Sequence, residues 1–416
     1  MIVFKFGGAS VKDSAAVRKV SDILSGNNEN LIVVISAMGK TTNLLETVVR
    51  AYFDNDNQKW PIFQEFKNYH FKICKELFNG ENIPESVINL FDELEEKLKV
   101  YPSLDYNFEY DQIVSYGELV STRIVSEYMK NTGLTNSWID IRTCLRTDDN
   151  FRDASVDWDL TGRLMKKVFN FKGTSLYITQ GFIGSTPASL TTTLGREGSD
   201  FTAAIIGNVL DAGSVSVWKD VPGILNGDPK QMPDTIKIES LSYREAVEMT
   251  HSGAKVIHPK TMKPLYNKGI PLYVKSFVNP EETGTLIHSI DHKIDLPPIY
   301  IFREDQILIT FTPIDFSFIS ISDIDKVINF LIKHRVKVTL MQQSAIDLNI
   351  VTDSAEMDME KLLSKLSQNY KIRYNRGLTL VTIRYYTKDT IDRIITKKRV
   401  YLEQHSRLTA RLLINS

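Results

Sequence analysis

The sequence predicts an α/β fold on a mostly parallel sheet over residues 1–285, followed by an α+β region over 286–416. Three observations predict it. Met1–Phe6 is a short apolar run with one charge, as in a buried strand, and it stops at Gly7-Gly8, where a helical pattern begins. Leu31–Ser36 repeats that order, running into the polar loop Ala37–Asn43 and then a second helix. After the turn-rich stretch Asn279–Thr285 the pattern changes to alternating strands and short helices of a β-α-β-β kind.

The opening turn carries the first chemistry. Val17, Val20 and Leu24 share one helix face beside Ala16 and Ile23, with Ser10 or Ser14 as the expected cap. Strand, two glycines and helix start together make a phosphate cradle. Glycines let backbone N–H groups approach a ligand, and a helix start carries partial positive charge. Lys5 would reach the same phosphates as a point charge. The spacing is neither a P-loop nor a dinucleotide fingerprint. Alone, such a Gly-Gly is more often a tight turn.

In the second loop Lys40, Thr41 and Thr42 can meet anionic groups or simply be hydrophilic. Residues 50–112, rich in aromatics and charge, read as a helical excursion forming a lid or wall, with Leu90, Leu94 and Leu98 at helical spacing. A helix then runs from about Ser115 to near Gly133. Glu118 near its start suits the helix dipole, or a substrate ammonium group. Residues 146–163 read as an irregular surface segment, and Leu176–Gln180 as a strand ending at Gly181–Gly184.

Thr191–Asp200 is the second strong stretch, opening a helix through Ala203, Ala204, Ile206, Gly207 and Leu210. Arg196 can grip a carboxylate with its planar fork, whereas Ser199 and Asp200 read equally as caps. An arginine at the positive end of a helix makes sense if an anion sits there. Val215–Leu225 is a strand into a turn, Asn226–Lys230 a loop, Glu245–His251 a helix, and Pro271–Ser276 a closing strand. His258 before Pro259 reads as a packed or turn histidine. In the tail, Ile307, Ile309 and Phe311 alternate. Ile324–Leu331 and Met359–Leu366 read as helices. Val336–Leu340, Leu348–Val351, Leu378–Tyr385 and Leu408–Ile414 read as strands, with a charged helical piece before the last.

Composition excludes several classes. The chain has 416 residues, 42% hydrophobic and 24% charged, with formal charge -1, so nothing draws it globally to nucleic acid or an anionic membrane. Cys74 and Cys144 form no framework and have no metal-ligand spacing; they read as reduced core thiols of a cytoplasmic protein. There is no leader pattern and no membrane-spanning apolar run.

In line, these stretches resemble the aspartokinases of the amino-acid kinase superfamily. Lys5-Phe6-Gly7-Gly8 resembles the family's opening Lys-Phe-Gly-Gly-Thr-Ser, and Ser36–Leu45 its second loop. Gly117–Leu119 with Ser121-Thr122, Gly181–Gly184, Thr191–Asp200, Trp218–Gly223, and Gly253–Val256 with His258-Pro259 follow in the family's order, covering nearly all of residues 1–285. The resemblance implies a three-layer sandwich that transfers the γ-phosphoryl group of ATP to the side-chain carboxylate of L-aspartate. That is the first step towards lysine, threonine and methionine. By the same resemblance Lys5 and Asp200 would be catalytic, and Gly7 and Gly8 would donate to the phosphoryl group. Thr42, Glu118, Arg196 and Ser199 would hold aspartate, with Arg196 on a carboxylate and Glu118 on the ammonium. Lys219, Asp220, Leu225, Lys230, Lys255 and Val256 would line the nucleotide pocket. Mg²⁺ would arrive with ATP, held mainly by phosphates and water; no protein metal site is expected.

Three positions depart from the family: Ala9 for the usual Thr, Lys219 for Thr or Ser, and Leu225 for an aromatic residue, which points to weaker nucleotide affinity. The tail resembles paired, interleaved, ferredoxin-like ACT modules, with Pro298–Phe302 pairing with the last one. Its expected glycine-bearing loop, Pro313–Asp323, contains no glycine. Lysine or threonine would be the effector and a homodimer the assembly. With no homoserine dehydrogenase segment following, a monofunctional form is expected. The alternatives are a kinase of this fold for another carboxylate substrate, and a catalytically weak amino-acid-binding regulator.

Overall fold

The computed structural model describes residues 1–80, 83–254, 256–290, 295–353 and 364–415. They form two compact units: Met1–Ile224 with Lys237–Thr250 and Lys255–His292, and Leu225–Ile236 with His251–Ala254 and Lys293–Ser416.

In the first unit, apolar runs become the strands of one sheet: β1 (Ile2–Phe6), β2 (Leu31–Ile35), β3 (Ser137–Ile139) and β4 (Leu176–Gln180). A hairpin, β5 (Ile183–Ser185) and β6 (Thr191–Thr193), precedes β7 (Ser214–Lys219). Two-residue strands β8 (Ile224–Leu225) and β9 (Lys237–Ile238) flank the excursion into the second unit. β10 (Ser240–Ser242), β11 (Leu272–Ser276) and β12 (Thr285–His288) complete the set. The main sheet runs β10-β12-β11-β7-β1-β2-β4-β3, parallel except for the β11–β12 pair. β2 is buried along its whole length, as a strand covered on both faces must be.

Helices α1 (Ser14–Ser25) and α2 (Thr41–Phe53) follow the first two strands. The expected excursion is helical: α3 (Lys59–Leu77), α4 (Glu85–Lys99) and α5 (Tyr106–Val114), then α6 (Tyr116–Asn131). α7 (Trp158–Val168), α8 (Gly198–Val209), α9 (Tyr243–Ser252) and α10 (Pro259–Lys268) complete this series. α6 packs on β2, β3 and β4, and α8 on β1, β2 and β7.

Two expectations need correction. Neither Ser10 nor Ser14 caps α1; Asp13 does, accepting from the N–H of Ala16, because a one-turn 3-10 helix over Gly8–Val11 delays the start. Residues 146–163 are not irregular throughout. α7 begins at Trp158, capped by Asp157, with Leu160, Leu164 and Val168 at helical spacing beside the buried Met165. His258 is a turn residue as expected, its Nδ1 accepting from the N–H of Lys260 at the start of α10.

The second unit is a six-stranded antiparallel sheet in the order β14-β15-β13-β16-β18-β17. Its strands are β13 (Ile299–Pro313), β14 (Val338–Gln343), β15 (Leu348–Asp353), β16 (Tyr370–Arg384), β17 (Val400–His405) and β18 (Thr409–Asn415). β13 and β16 pair end to end, from Ile299 opposite Arg384 to Pro313 opposite Tyr370, so the start of β13 does meet the last module's strand. Ile307, Ile309 and Phe311 join a core with Val327 and Leu331 of α11 (Ile321–Lys333). Leu308, on the other face, joins Leu380 and Leu413. Tyr300, Val381, Ile383 and Leu412 pack with Ile391 and Ile394 of the helix Lys388–Ile395. β17 was not foreseen; only one of its residues, Leu402, is buried. The helix expected over Met359–Leu366 lies, up to residue 363, outside the described residues. The glycine-free loop after β13 places Phe316 at φ +61 and leaves Ile314, Phe316 and Phe318 exposed.

No helix among the described residues is long and apolar enough to cross a membrane.

Candidate active site

The site forms at the carboxyl ends of neighbouring parallel strands, where loops from β1, β2 and β7 converge. Lys5 sits one residue from the end of β1, and its Nζ lies 2.6 Å from Asp200 Oδ1 in the first turn of α8. Gly7 and Gly8 follow. A Cβ on Gly8 would lie 2.6 Å from the carbonyl oxygen of Gly39 and 2.7 Å from that of Ala37, so no larger residue fits there. The N–H of Gly39 donates to the Gly8 carbonyl at 3.0 Å, fastening the first turn to the second loop. A Cβ on Gly7 would stand 3.5 Å from Lys5 Nζ; the ammonium hangs over the glycine turn.

Glu118 enters from the first turn of α6 and is buried. Its Oε1 accepts from the N–H of Ala37 at 3.2 Å; Oε2 has no hydrogen-bond partner among the described residues. Burial pushes its pKa up to about 8, against the opposing pull of the Ala37 N–H and the Lys5 charge. Dipole placement alone does not explain a buried carboxyl with a spare oxygen.

Arg196 is exposed and follows Gly195, whose φ is +74. A Cβ on Gly195 would meet Asp153 Oδ1 at 2.7 Å and the Arg152 carbonyl at 3.2 Å. Ser199 and Asp200 do not cap α8. The N-cap position is Glu197, at φ +55 and with no side-chain cap bond; the N–H of Gly198 donates to the Gly195 carbonyl at 3.1 Å, and among the described residues those of Ser199 and Asp200 are left for another acceptor. Glu197 Oε2 accepts from the N–H of His258. Lys260 Nζ reaches both Asp153 Oδ1 and the Leu194 carbonyl. The Arg196 loop is thus gripped from both sides.

One cavity of about 580 Å³ is lined by Lys5, Gly7, Gly8, Thr42, Glu118, Arg196, Ser199, Asp200, Lys219 and Asp220, all expected from the sequence. Ala9 lines it too, as do Ser10, Ser36, Tyr110, Arg152, Phe182, Gly195, Glu197, Gly198 and Trp218. Trp218 stacks on Phe6 at 5.6 Å; both it and Phe182 lie in stretches the sequence had marked. Tyr110 and Arg152 come from segments read as wall and surface, and no local signal announces them. Leu225 and Lys230 are not among the lining residues and belong to the second unit. Val256 contributes a carbonyl, accepting from Lys219 Nζ at 2.6 Å, and Lys255 lies outside the described residues. Cys74 and Cys144 are buried away from the lining, and burial pushes both thiols up to about 12.

The cavity therefore gathers an ammonium held over a glycine turn, a buried carboxyl and a guanidinium. The profile of the Amino acid kinase family matches residues 1–276. Lysine-sensitive aspartokinase 3 of Escherichia coli K12 is 31% identical over 399 residues, covering 92% of this chain and 86% of that one. The chain belongs to the aspartokinases of the amino acid kinase family. Among solved structures, this aspartokinase is similar to E. coli aspartokinase III. It matches the complex with lysine and aspartate at TM-score 0.83 and the complex with aspartate and ADP at 0.81. Each match has 28% identity and covers 100% of this chain and 96% of the other. The bifunctional aspartokinase/homoserine dehydrogenase 2 of Arabidopsis thaliana is 32% identical over 294 residues, 68% of this chain, and this aspartokinase spans 32% of its length.

Proposed function

We propose that this protein transfers the γ-phosphoryl group of ATP to the side-chain carboxylate of L-aspartate, releasing ADP and 4-phospho-L-aspartate. One observation carries the reading: the Lys5–Asp200 pair over Gly7-Gly8 shares a cavity with Glu118 and Arg196. An aspartate carboxylate is ionised at neutral pH, so the reaction needs positioning and charge stabilisation rather than a strong base. Lys5 stabilises charge on the phosphoryl group as it moves, and Asp200 keeps the ammonium aimed at it. Gly7 and Gly8 offer backbone donors. Glu118 takes the substrate ammonium and Arg196 a carboxylate, with Thr42 and Ser199 as hydroxyl partners. Lys219 and Asp220 face the nucleotide, with the Val256 carbonyl holding the Lys219 ammonium.

Among the described residues no three His, Cys, Asp or Glu side chains are grouped to hold a metal ion. Mg²⁺ would enter on the ATP phosphates and supply charge neutralisation there. Residues 1–285 form the catalytic domain, and 286–416 a regulatory region of two ACT-like modules sharing β13 and β16. E. coli aspartokinase III was solved with lysine, which makes lysine the first effector to test, in a cytoplasmic homodimer.

The test is a coupled ADP assay against L-aspartate, glutamate, acetylglutamate and carbamate, with Lys5→Ala as control. Aspartate alone should turn over, and the variant should lose about 10²–10³ in kcat. Phosphorylation unchanged in Lys5→Ala would overturn the assignment.

A further inference from the structure

We propose that Arg152 is a second arginine for the amino-acid substrate, gripping beside Arg196 the carboxylate that is not phosphorylated; this rests on the aspartate kinase reading above. Arg152 lines the cavity, although its segment reads as plain surface in the sequence. Its backbone lies at φ +72, a left-handed conformation that glycine adopts freely and arginine rarely does. A left-handed residue with a long charged side chain, lining a cavity, points to a task for that side chain there.

The strain is held by one buried carboxylate. Asp111 Oδ2 accepts from the N–H of Arg152 at 3.0 Å and from that of Thr193 at 2.8 Å, and Oδ1 accepts from Thr193 Oγ1 at 2.7 Å. Asp111 thereby joins α5, the Arg152 turn and β6, the strand that runs into Gly195 and Arg196. The Arg152 carbonyl lies 3.2 Å from where a Gly195 Cβ would be, so the two arginines leave adjoining stretches of backbone.

The side chain is aimed as well. The guanidinium carbon of Arg152 lies 4.4 Å from the centroid of the Tyr110 ring. Tyr110 Oη donates to Glu46 Oε1 at 2.7 Å, on α2, the helix that carries Thr42. Arg152 is therefore tied to the elements that supply Thr42 and Arg196, the amino-acid end of the cavity. A guanidinium stacked on a ring keeps its in-plane donors for an acceptor. Of its five, Arg152 spends one on Asn107 Oδ1, at 3.4 Å. Neither Arg152 nor Arg196 forms an ion pair with a carboxylate among the described residues. Two convergent forks recognise a carboxylate through parallel N–H···O bonds, which a lysine cannot copy.

The experiment is steady-state kinetics on the full chain for wild type, Arg152→Ala, Arg152→Lys and Arg152→Gly, with thermal unfolding alongside. Loss of the charged bonds should raise the aspartate KM about tenfold or more in the Ala and Gly variants. kcat and the ATP KM should stay within about twofold, with Lys in between. Arg152→Gly should also raise Tm by relieving the left-handed strain, a gain that a collapsed site would not give. Wild type should prefer aspartate over its α-amide, and Arg152→Gly should narrow that preference. An unchanged aspartate KM in Arg152→Gly, with wild type active on aspartate, overturns this proposal alone. Wild type inactive on aspartate overturns the kinase reading and this one with it.

Discussion

The part of the cavity proposed for phosphate is made from Lys5, Gly7 and Gly8, neighbours in the chain, with the first turn of α8 also in the lining. The part proposed for the amino acid draws Thr42, Glu118, Arg152 and Arg196 from four separated segments. The first end is held by backbone geometry, with Gly8 wedged under the carbonyls of Ala37 and Gly39. The second is held by buried carboxyls, Glu118 on the Ala37 N–H and Asp111 on Arg152 and Thr193. A site can thus be fixed sterically at one end and by polar clamps at the other. The sterically fixed end should fail abruptly on substitution, while the clamped end should respond to pH.

The largest effect should come from Gly8→Ala. The new methyl meets backbone oxygens that cannot swing aside, so a cost of about 1–3 kcal/mol or more in stability is expected, with kcat largely lost. Gly7→Ala is the sharp comparison. Gly7 has φ -79, and a Cβ there meets only the tip of Lys5 at 3.5 Å, so its Tm should match wild type. Equal losses in the two variants, by thermal unfolding and turnover, would break the contrast.

Next is Glu118→Gln, which keeps the shape and removes the charge. Pairing with a substrate ammonium makes it worth about 10²-fold in kcat/KM for aspartate. The pH dependence has a definite sign. With its pKa raised to about 8, Glu118 is protonated in the empty protein at pH 7 and must lose that proton to pair with an ammonium. Aspartate affinity should therefore rise as pH climbs towards about 8 and then level, with proton release on binding. Calorimetry in buffers of different ionisation enthalpy reads that release; a flat response would remove Glu118 from the ammonium. The folded state also holds this proton where the unfolded chain, near 4.5, has shed it. Glu118 thus contributes stability that is complete below 4.5 and lost as pH rises through about 8.

Asp111→Ala should be milder for chemistry but visible in stability. It strands the N–H groups of Arg152 and Thr193, at about 1–3 kcal/mol for a buried donor, and should raise the aspartate KM without moving the ATP KM. Burial raises Asp111 to about 6, so its contribution to stability is complete below 3.8 and falls away by about pH 6. The smallest effect expected is Ala9→Thr, a single hydroxyl added at the cavity wall, lowering the ATP KM a few-fold.

Legibility in the sequence followed the same divide. The strand–glycine–helix turn shows itself because its residues are consecutive and their types follow from backbone needs. Glu118 and Arg196 were visible as charges at helix starts, and the family resemblance put both on one substrate; both line one cavity. Arg152 and Tyr110 were invisible: an arginine in a left-handed turn and a tyrosine on a helical wall have no local reason to share a cavity, and only Asp111 and Glu46, distant in sequence, bring them there. The Asp13 cap was missed because the 3-10 turn shifts the helix start. α7 was legible in the spacing of Leu160, Leu164 and Val168, but the polar run before it was read on to residue 163. In the second unit the interior strands were plain from their alternation, and β17 was hidden by its polar edge.

β13 and β16 each supply side chains to both helix-backed cores of the second unit: Ile309 and Tyr370 on one side, Tyr300 and Ile383 on the other. No single cut divides such a pair into two self-sufficient halves. A chimaera that imports one module from a relative must also import half of its neighbour's interior, so sensitivity to a new effector has to be grafted as a whole or built in place, side chain by side chain.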